Sequence, residues 1–335
     1  MRTRWQQSHA FTLIELLVAA TITLVLAGLM LAVVTNTLNL WQRSQNRFTT
    51  STQATLALDL LERDLQGALF RRDGNTWLAV AVTNTAAALI PHGWLSAAAM
   101  KPSSSESQRL VADPGDGKTP QIGDARFGLS GCWLRFFSPN LEANGALPVA
   151  VSYQIARRPV SGAIAGSNAA EVRYTLFRSA VSTTATFTTG YNITVSGYGS
   201  ASVSPSNSRD PKTMMNPNDA DALATNVVDF GVWLYGRDAG TGGLRRVFPA
   251  DSSDFMHAAR ETGEVSDASR FPEVADVMVR ILSTQGAALL EEIENGGGHI
   301  VRPSNYTSDA EWWWGIVEVN STVYVRRIVL RGSAP

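Results

Sequence analysis

The sequence predicts an α+β fold: one long N-terminal α-helix, membrane-spanning over its first half, packed on an antiparallel β-sheet head. Three observations predict it. Residues 11–34 form an apolar run with a single charge, Glu15. Beyond that run apolar residues recur at helical steps as far as Leu69, with no proline before Pro91. After residue 73 the pattern changes to alternation, the signature of half-buried strands.

The elements follow in chain order. The first ten residues, MRTRWQQSHA, carry Arg2 and Arg4 and no acid. Phe11 to Val34 is then 24 residues long and uncharged from Leu16 onward. An α-helix of about 20 apolar residues matches a hydrocarbon core of about 30 Å. In lipid the backbone must bond within its own segment, so this run is a helix. The next basic residue is Arg43, which places the N-terminus in the cytoplasm and the head on the opposite side. A cleaved secretory signal is the competing reading. It expects a shorter apolar region ending at a small-residue boundary, which this run lacks.

Trp41, Phe48, Thr55, Leu58, Leu61, Leu65 and Leu69 then recur at seven-, three- and four-residue steps, predicting an amphipathic face. Gly74, after Arg71-Arg72, is the expected stop. A helix over 11–72 follows, either unbroken and about 93 Å long or divided into an anchor and a second helix.

The head, 73–335, reads as mostly strand. Alternation marks 149–155, 172–176, 228–234, 275–281 and 322–331, and TQGAALLEEIE at 284–294 reads as a short helix before a glycine run. Trp312-Trp313-Trp314 reads as a strand whose indoles point to both faces. Long loops are expected at 100–131, which holds Ser103-Ser104-Ser105 and DPGDGK, and at 179–222. Residues 179–208 contain no charged side chain, so an exposed loop is expected there.

Composition excludes several functions. Across 335 residues, 28 Lys and Arg face 29 Asp and Glu, and a net charge of −1 indicates no nucleic-acid partner. The single cysteine, Cys132, rules out an internal disulfide framework and any cysteine-based zinc site; it reads as a buried small hydrophobe. The four histidines are scattered. There is no G-x-S-x-G elbow and no GxxxxGK[ST] phosphate loop, so neither a serine hydrolase nor a motor ATPase is indicated. Asp113, Asp116 and Asp124 offer a weak calcium set, but without the D-x-D-x-D-G spacing a plain turn is the simpler reading. Glu291, Glu292 and Glu294 read as the solvated face of a helix. Arg326, Arg327 and Arg331 read as surface ion-pair partners, with Glu311 and Glu318 near in sequence.

Glu15 is the anomaly, since an acid within an apolar span costs about 2.5–3.5 kcal/mol when central and less near an end. The stretch Ala10-Phe11-Thr12-Leu13-Ile14-Glu15-Leu16-Leu17-Val18 resembles the signal of type IV prepilins and pseudopilins. The resemblance implies cleavage between Ala10 and Phe11, N-methylation of Phe11, and a retained Glu15 as the fifth mature residue. That family usually carries glycine before the cut; Ala10, the next smallest residue, stands here. It also implies a pilin-like fold. The new amine would lie about 6 Å along the axis from Glu15. A neighbouring subunit, shifted axially, could present its own amine to that carboxylate and so fix the register.

In the head, LERDLQGALF (61–70), VSYQI, EVRYTLFR, NVVDFGVWLYGRD (226–238), FPEVADVMVRIL (271–282) and YVRRIVLRG (324–332) resemble the large minor pseudopilins of type II secretion. There is also a likeness to verrucomicrobial prepilin-like cassette proteins.

The expectation is therefore a 1–10 leader, an 11–72 helix with its membrane span at about 11–34, and a 73–335 head. The whole would be a non-enzymatic subunit of a type IV pilus or type II secretion pseudopilus, minor and tip-proximal, without a resident cofactor. The partners implied are a prepilin peptidase/methyltransferase, other pilin or pseudopilin subunits, an inner-membrane assembly platform and membrane lipid. The alternatives are an anchored adhesin or substrate-binding module that uses the signal only for export, and an exported enzyme on a pilin stalk.

Overall fold

The computed structural model describes residues 12–82, 101–102, 109–111, 117–139, 147–159, 172–199, 209–238, 240–261, 269–294 and 301–330. The chain divides into two compact units, Met1–Thr49 and Thr50–Pro335.

In the first unit, the opening part of helix α1 (Leu13–Gln66) holds the apolar run in regular helix. Every described side chain from residue 12 to residue 49 is exposed, Trp41 and Phe48 included. The expected stripe therefore does not begin there. In the second unit the buried face of α1 is Ala54, Ala57, Leu58, Leu61 and Leu65, and Thr55 points outward. The helix stops at Gln66, six residues before the expected end. Two contacts explain the early stop. Leu69 N–H donates to Phe137 O at 2.8 Å, so the backbone turns to sheet-type pairing instead of another helical turn. A Cβ on Gly67 would stand 3.2 Å from Pro139, a tight approach that suits glycine.

The rest of the second unit is two antiparallel sheets, where the sequence had suggested one. The first has six strands: β1 (Leu78–Val82), β2 (Cys132–Pro139), β3 (Pro148–Pro159), β4 (Val172–Ala180), β5 (Ala222–Thr225) and β8 (Met256–Ala259), in the order β5-β4-β3-β2-β1-β8. The second has four: β6 (Val227–Arg237), β7 (Leu244–Phe248), β9 (Val274–Leu282) and β10 (Ser321–Val329), in the order β10-β9-β6-β7. Central strands β2 and β9 are buried along nearly their whole length, so they read as continuous apolar runs. Tyr153 on β3 and Phe230 on β6, ring centroids 6.5 Å apart, join the two sheets in one hydrophobic cluster with the buried face of α1. Gly131 before β2 has φ +60°, and a Cβ there would lie 2.6 Å from Phe230 O, so only glycine fits between the sheets.

Three expectations need correction. Trp312–Trp314 lie in helix α5 (Asp309–Asn320), not a strand; Ser308 caps its first turn, accepting from Glu311 N–H at 3.1 Å, and Trp313 and Trp314 are buried. Residues 179–199 are not an exposed loop: they complete β4 and form α2 (Thr183–Thr189) and α3 (Ser196–Gly199). Tyr191 stacks at 6.0 Å on Trp77, while Ile193 and Tyr198 are fully buried, so aromatic packing orders a segment that has no ion pairs. The described parts of 100–131 are loop apart from one 3-10 turn at Ile122–Asp124, and within them Lys101, Leu110, Ile122, Ala125 and Phe127 are buried. Finally, α4 (Thr284–Glu294) does not present a wholly solvated acidic face. Glu292 is exposed, but Glu294 is buried and Glu291 pairs with Arg173.

Candidate functional site

The start of α1 is built by its own sequence. Thr12 and Glu15 form a capping box: Glu15 N–H donates to Thr12 Oγ1 at 3.3 Å, and Thr12 N–H donates to Glu15 Oε2 at 3.0 Å. Thr12 Oγ1–H also donates to the same carboxylate oxygen at 3.0 Å. Two helix donors that would otherwise meet lipid are thus satisfied, Thr12 N–H by the Glu15 carboxylate and Glu15 N–H by the Thr12 hydroxyl. The T-x-x-E spacing that encodes this cap is visible in the sequence, and the reading of Glu15 as an intersubunit group passed over it. Ala10 and Phe11 lie outside the described residues.

Residues Leu13–Leu38 make a helix long and apolar enough to cross a membrane, none of it buried within the protein. Its four threonines hide their hydroxyls. Thr21 donates to Val18 O, Thr23 to Ala19 O, Thr35 to Leu31 O and Thr37 to Val33 O, at 2.8–2.9 Å. The surface offered to the surroundings is therefore a cylinder of mainly Leu, Val, Ile, Met and Ala, with one carboxylate near its start and the exposed amide of Asn36 near its end.

In the head, α1 is fastened by Asp64, which sequence reasoning did not single out. Its Oδ2 accepts from Tyr153 Oη and from Arg178 Nε, each at 2.7 Å, and its backbone oxygen accepts from Ser138 Oγ at 3.2 Å. Burial beside this carboxylate pushes the Tyr153 phenol well above its usual range, so it remains a donor. On the other side, Arg326 of β10 pairs with Asp59 and with Glu62, the latter at 2.9 Å. Arg327 makes a two-pronged pair with Asp276, its cross-strand neighbour on β9, at 2.7 Å for each prong. The arginines are ion-pair partners as expected, but of Asp59, Glu62 and Asp276. Glu318 pairs with Arg126, Glu311 accepts from Thr307 at 2.8 Å, and Arg331 is outside the described residues.

A second buried polar group lies between the sheets and the C-terminal helices. Lys101 Nζ donates to Asp229 Oδ1 at 2.6 Å, and neither side chain has any exposed surface. Glu294 accepts from Arg157 Nε at 2.7 Å, from Trp313 Nε1 at 2.9 Å and from the Tyr174 hydroxyl. Burial pushes its carboxyl above the ordinary range. Cys132 is buried, and its Sγ accepts from Val232 N–H at 3.2 Å; burial pushes the thiol far up, so no thiolate is available there. Of the three aspartates considered for calcium, Asp124 is exposed and Asp113 and Asp116 lie outside the described residues. Among the described residues no group of three His, Cys, Asp or Glu is placed to hold a metal ion.

Residues 5–31 match the family model described as the prokaryotic N-terminal methylation motif, which spans Ala10, Phe11 and Glu15. Neither the curated proteins nor the solved structures contain a significant match to the chain. The chain thus carries a type IV prepilin-like signal, as expected for a pilin-type precursor that a peptidase processes and that assembles with other pilin subunits.

Proposed function

We propose that this chain is a non-enzymatic structural subunit of a type IV pilus or type II secretion pseudopilus, cut between Ala10 and Phe11 and N-methylated at Phe11. The observation that carries the reading is the coincidence of the methylation motif at 5–31 with an unburied apolar helix whose lone acid is Glu15. A helix that buries none of its span within its own fold has to be covered by lipid or by other helices. Before assembly it lies in the inner membrane with Arg2 and Arg4 on the cytoplasmic side. During assembly it passes from lipid to packed neighbours on the assembly platform. Removing Arg2 and Arg4 moves the net charge from −1 to −3, which argues against DNA as the cargo. A second unit beginning at Thr50 is bulky to repeat along a thin filament, which favours a minor, tip-proximal position.

Mass spectrometry of the N-terminal peptide from native membranes tests the proposal. The expected peptide begins at N-methylated Phe11. An intact Met1, or a cut beyond residue 30, overturns it.

A further inference from the structure

We propose that Lys101 and Asp229 condense into an intramolecular amide bond that staples the chain at Lys101 to the central strand β6. The inference does not depend on how, or whether, the chain assembles.

The geometry is that of two reactants held in contact. Lys101 Nζ stands 2.6 Å from Asp229 Oδ1, and neither side chain touches solvent. The other carboxylate oxygen, Oδ2, accepts the Phe127 backbone N–H at 3.2 Å. The Lys101 backbone is itself fixed, its N–H donating to Tyr174 Oη at 3.0 Å. The Trp314 ring lies 5.5 Å from Nζ, and Phe127, whose N–H meets Asp229, and Phe230, next to it on β6, are both fully buried. Burial, with Arg280 as a further nearby positive charge, holds the Lys101 ammonium below the ordinary lysine range, which favours the nucleophilic amine.

The step balances without any co-reactant. A proton passes from Nζ to Oδ1 across their contact, leaving a neutral amine and a carboxylic acid. The Nζ lone pair attacks Cγ, and the negative charge that develops on Oδ2 meets the Phe127 N–H, placed as an oxyanion donor would be. A second proton moves from Nζ to Oδ1, the Cγ–Oδ1 bond breaks, and one water leaves as the Nζ–Cγ bond becomes an amide. Nothing is oxidised or reduced. In bulk water such a condensation is disfavoured largely because both ions are well solvated. Here that solvation is absent, so the ion pair is costly to keep. Fixed contact is worth an effective concentration on the order of 10⁵–10⁸ M.

Peptide mapping of the full-length protein, purified from membranes in detergent and then denatured and digested with trypsin, tests the linkage. The expected product is a branched peptide joining the Lys101 and Asp229 segments, lighter than the two linear peptides together by one water. The Lys101–Pro102 bond resists trypsin in any case, so fragmentation of the branched ion, and not a missed cleavage, is the readout. The same ion must vanish in Lys101→Met. Recovery of the Asp229 segment only as a linear peptide from folded wild-type protein overturns the proposal, as does persistence of the branched ion in Lys101→Met.

Discussion

His257 on β8 is buried, and its Nε2 lies 3.0 Å from Arg270 O. A carbonyl can only accept, so the ring donates from Nε2. Burial outweighs this bond and the nearby Asp254 charge, and lowers the imidazole below its usual value. The folded chain therefore binds fewer protons at this site than the unfolded chain, so its contribution is fully present above about pH 6.5. It is lost as the pH falls from there toward the depressed folded value, with a slope of up to about 1.4 kcal/mol per pH unit. Glu294 and Asp221, raised by burial, act with the opposite sign as the pH rises above their ordinary carboxylate values of about 4. The prediction is consequently a difference: between pH 6.5 and 5, wild type should lose more stability in urea melts than His257→Gln. Parallel curves for the two proteins would show that the ring titrates as it does in water. At this scale the sequence was legible where a residue stood against its background. Glu15 was visible as the lone charge in an apolar run. Asp64, Lys101 and Glu294 were not, because Tyr153, Asp229 and Arg157, which they respectively meet, lie 89 to 137 residues away and nothing local marks an acid or a lysine as buried.

Helix α1 shows how one residue can serve both an element and an assembly. Glu15 caps its own helix through Thr12, and the proposed function asks the same carboxylate to receive a neighbour's amine. Glu15→Gln separates the two roles. An amide oxygen can still accept from the Thr12 N–H, so the first turn persists, while the charge is gone. Breaking an ion pair buried among packed helices costs about 3–5 kcal/mol. Incorporation of Glu15→Gln into sheared filaments should fall by roughly two orders of magnitude, with unchanged amounts in the membrane, as read by immunoblot of the two fractions. Wild-type incorporation would leave capping as the carboxylate's role. The other elements were legible to the degree that their pattern was local. Strands β3, β4, β6, β9 and β10 and helix α4 stand where alternation and period placed them. Helix α5 was misread because three consecutive tryptophans suggest a strand on propensity alone. The S-x-x-E at Ser308 and Glu311 was the local signal for a helix start. Gly67 was the local signal that ends α1 at Gln66, passed over in favour of Gly74, and Phe137 and Pro139, distant in sequence, complete that stop.

For the whole molecule, the division at Thr50 makes the last turns of α1 part of the head's core rather than a stalk attached to it. The segment from Thr50 to Gln66 is only just beyond the length at which an isolated helix is marginal in water, so most of its helical stability comes from packing. Leu58, Leu61 and Leu65 are at most 4% exposed, and each contributes about 2 kcal/mol by leaving water. Asp64 adds the acceptor for Tyr153 and Arg178. A chain beginning at Thr50 keeps all of these and sheds the exposed apolar run. It should remain in the aqueous phase and melt cooperatively by circular dichroism. A chain beginning at Gly67 loses about 6 kcal/mol of apolar burial and leaves the Asp64-bound donors of Tyr153, Arg178 and Ser138 unmatched. Against a net stability of about 5–15 kcal/mol, that deficit should abolish the cooperative transition. Equal melting of the two chains would mean that the sheets hold together without the helix, and that α1 is an anchor joined to the head rather than one of its structural members.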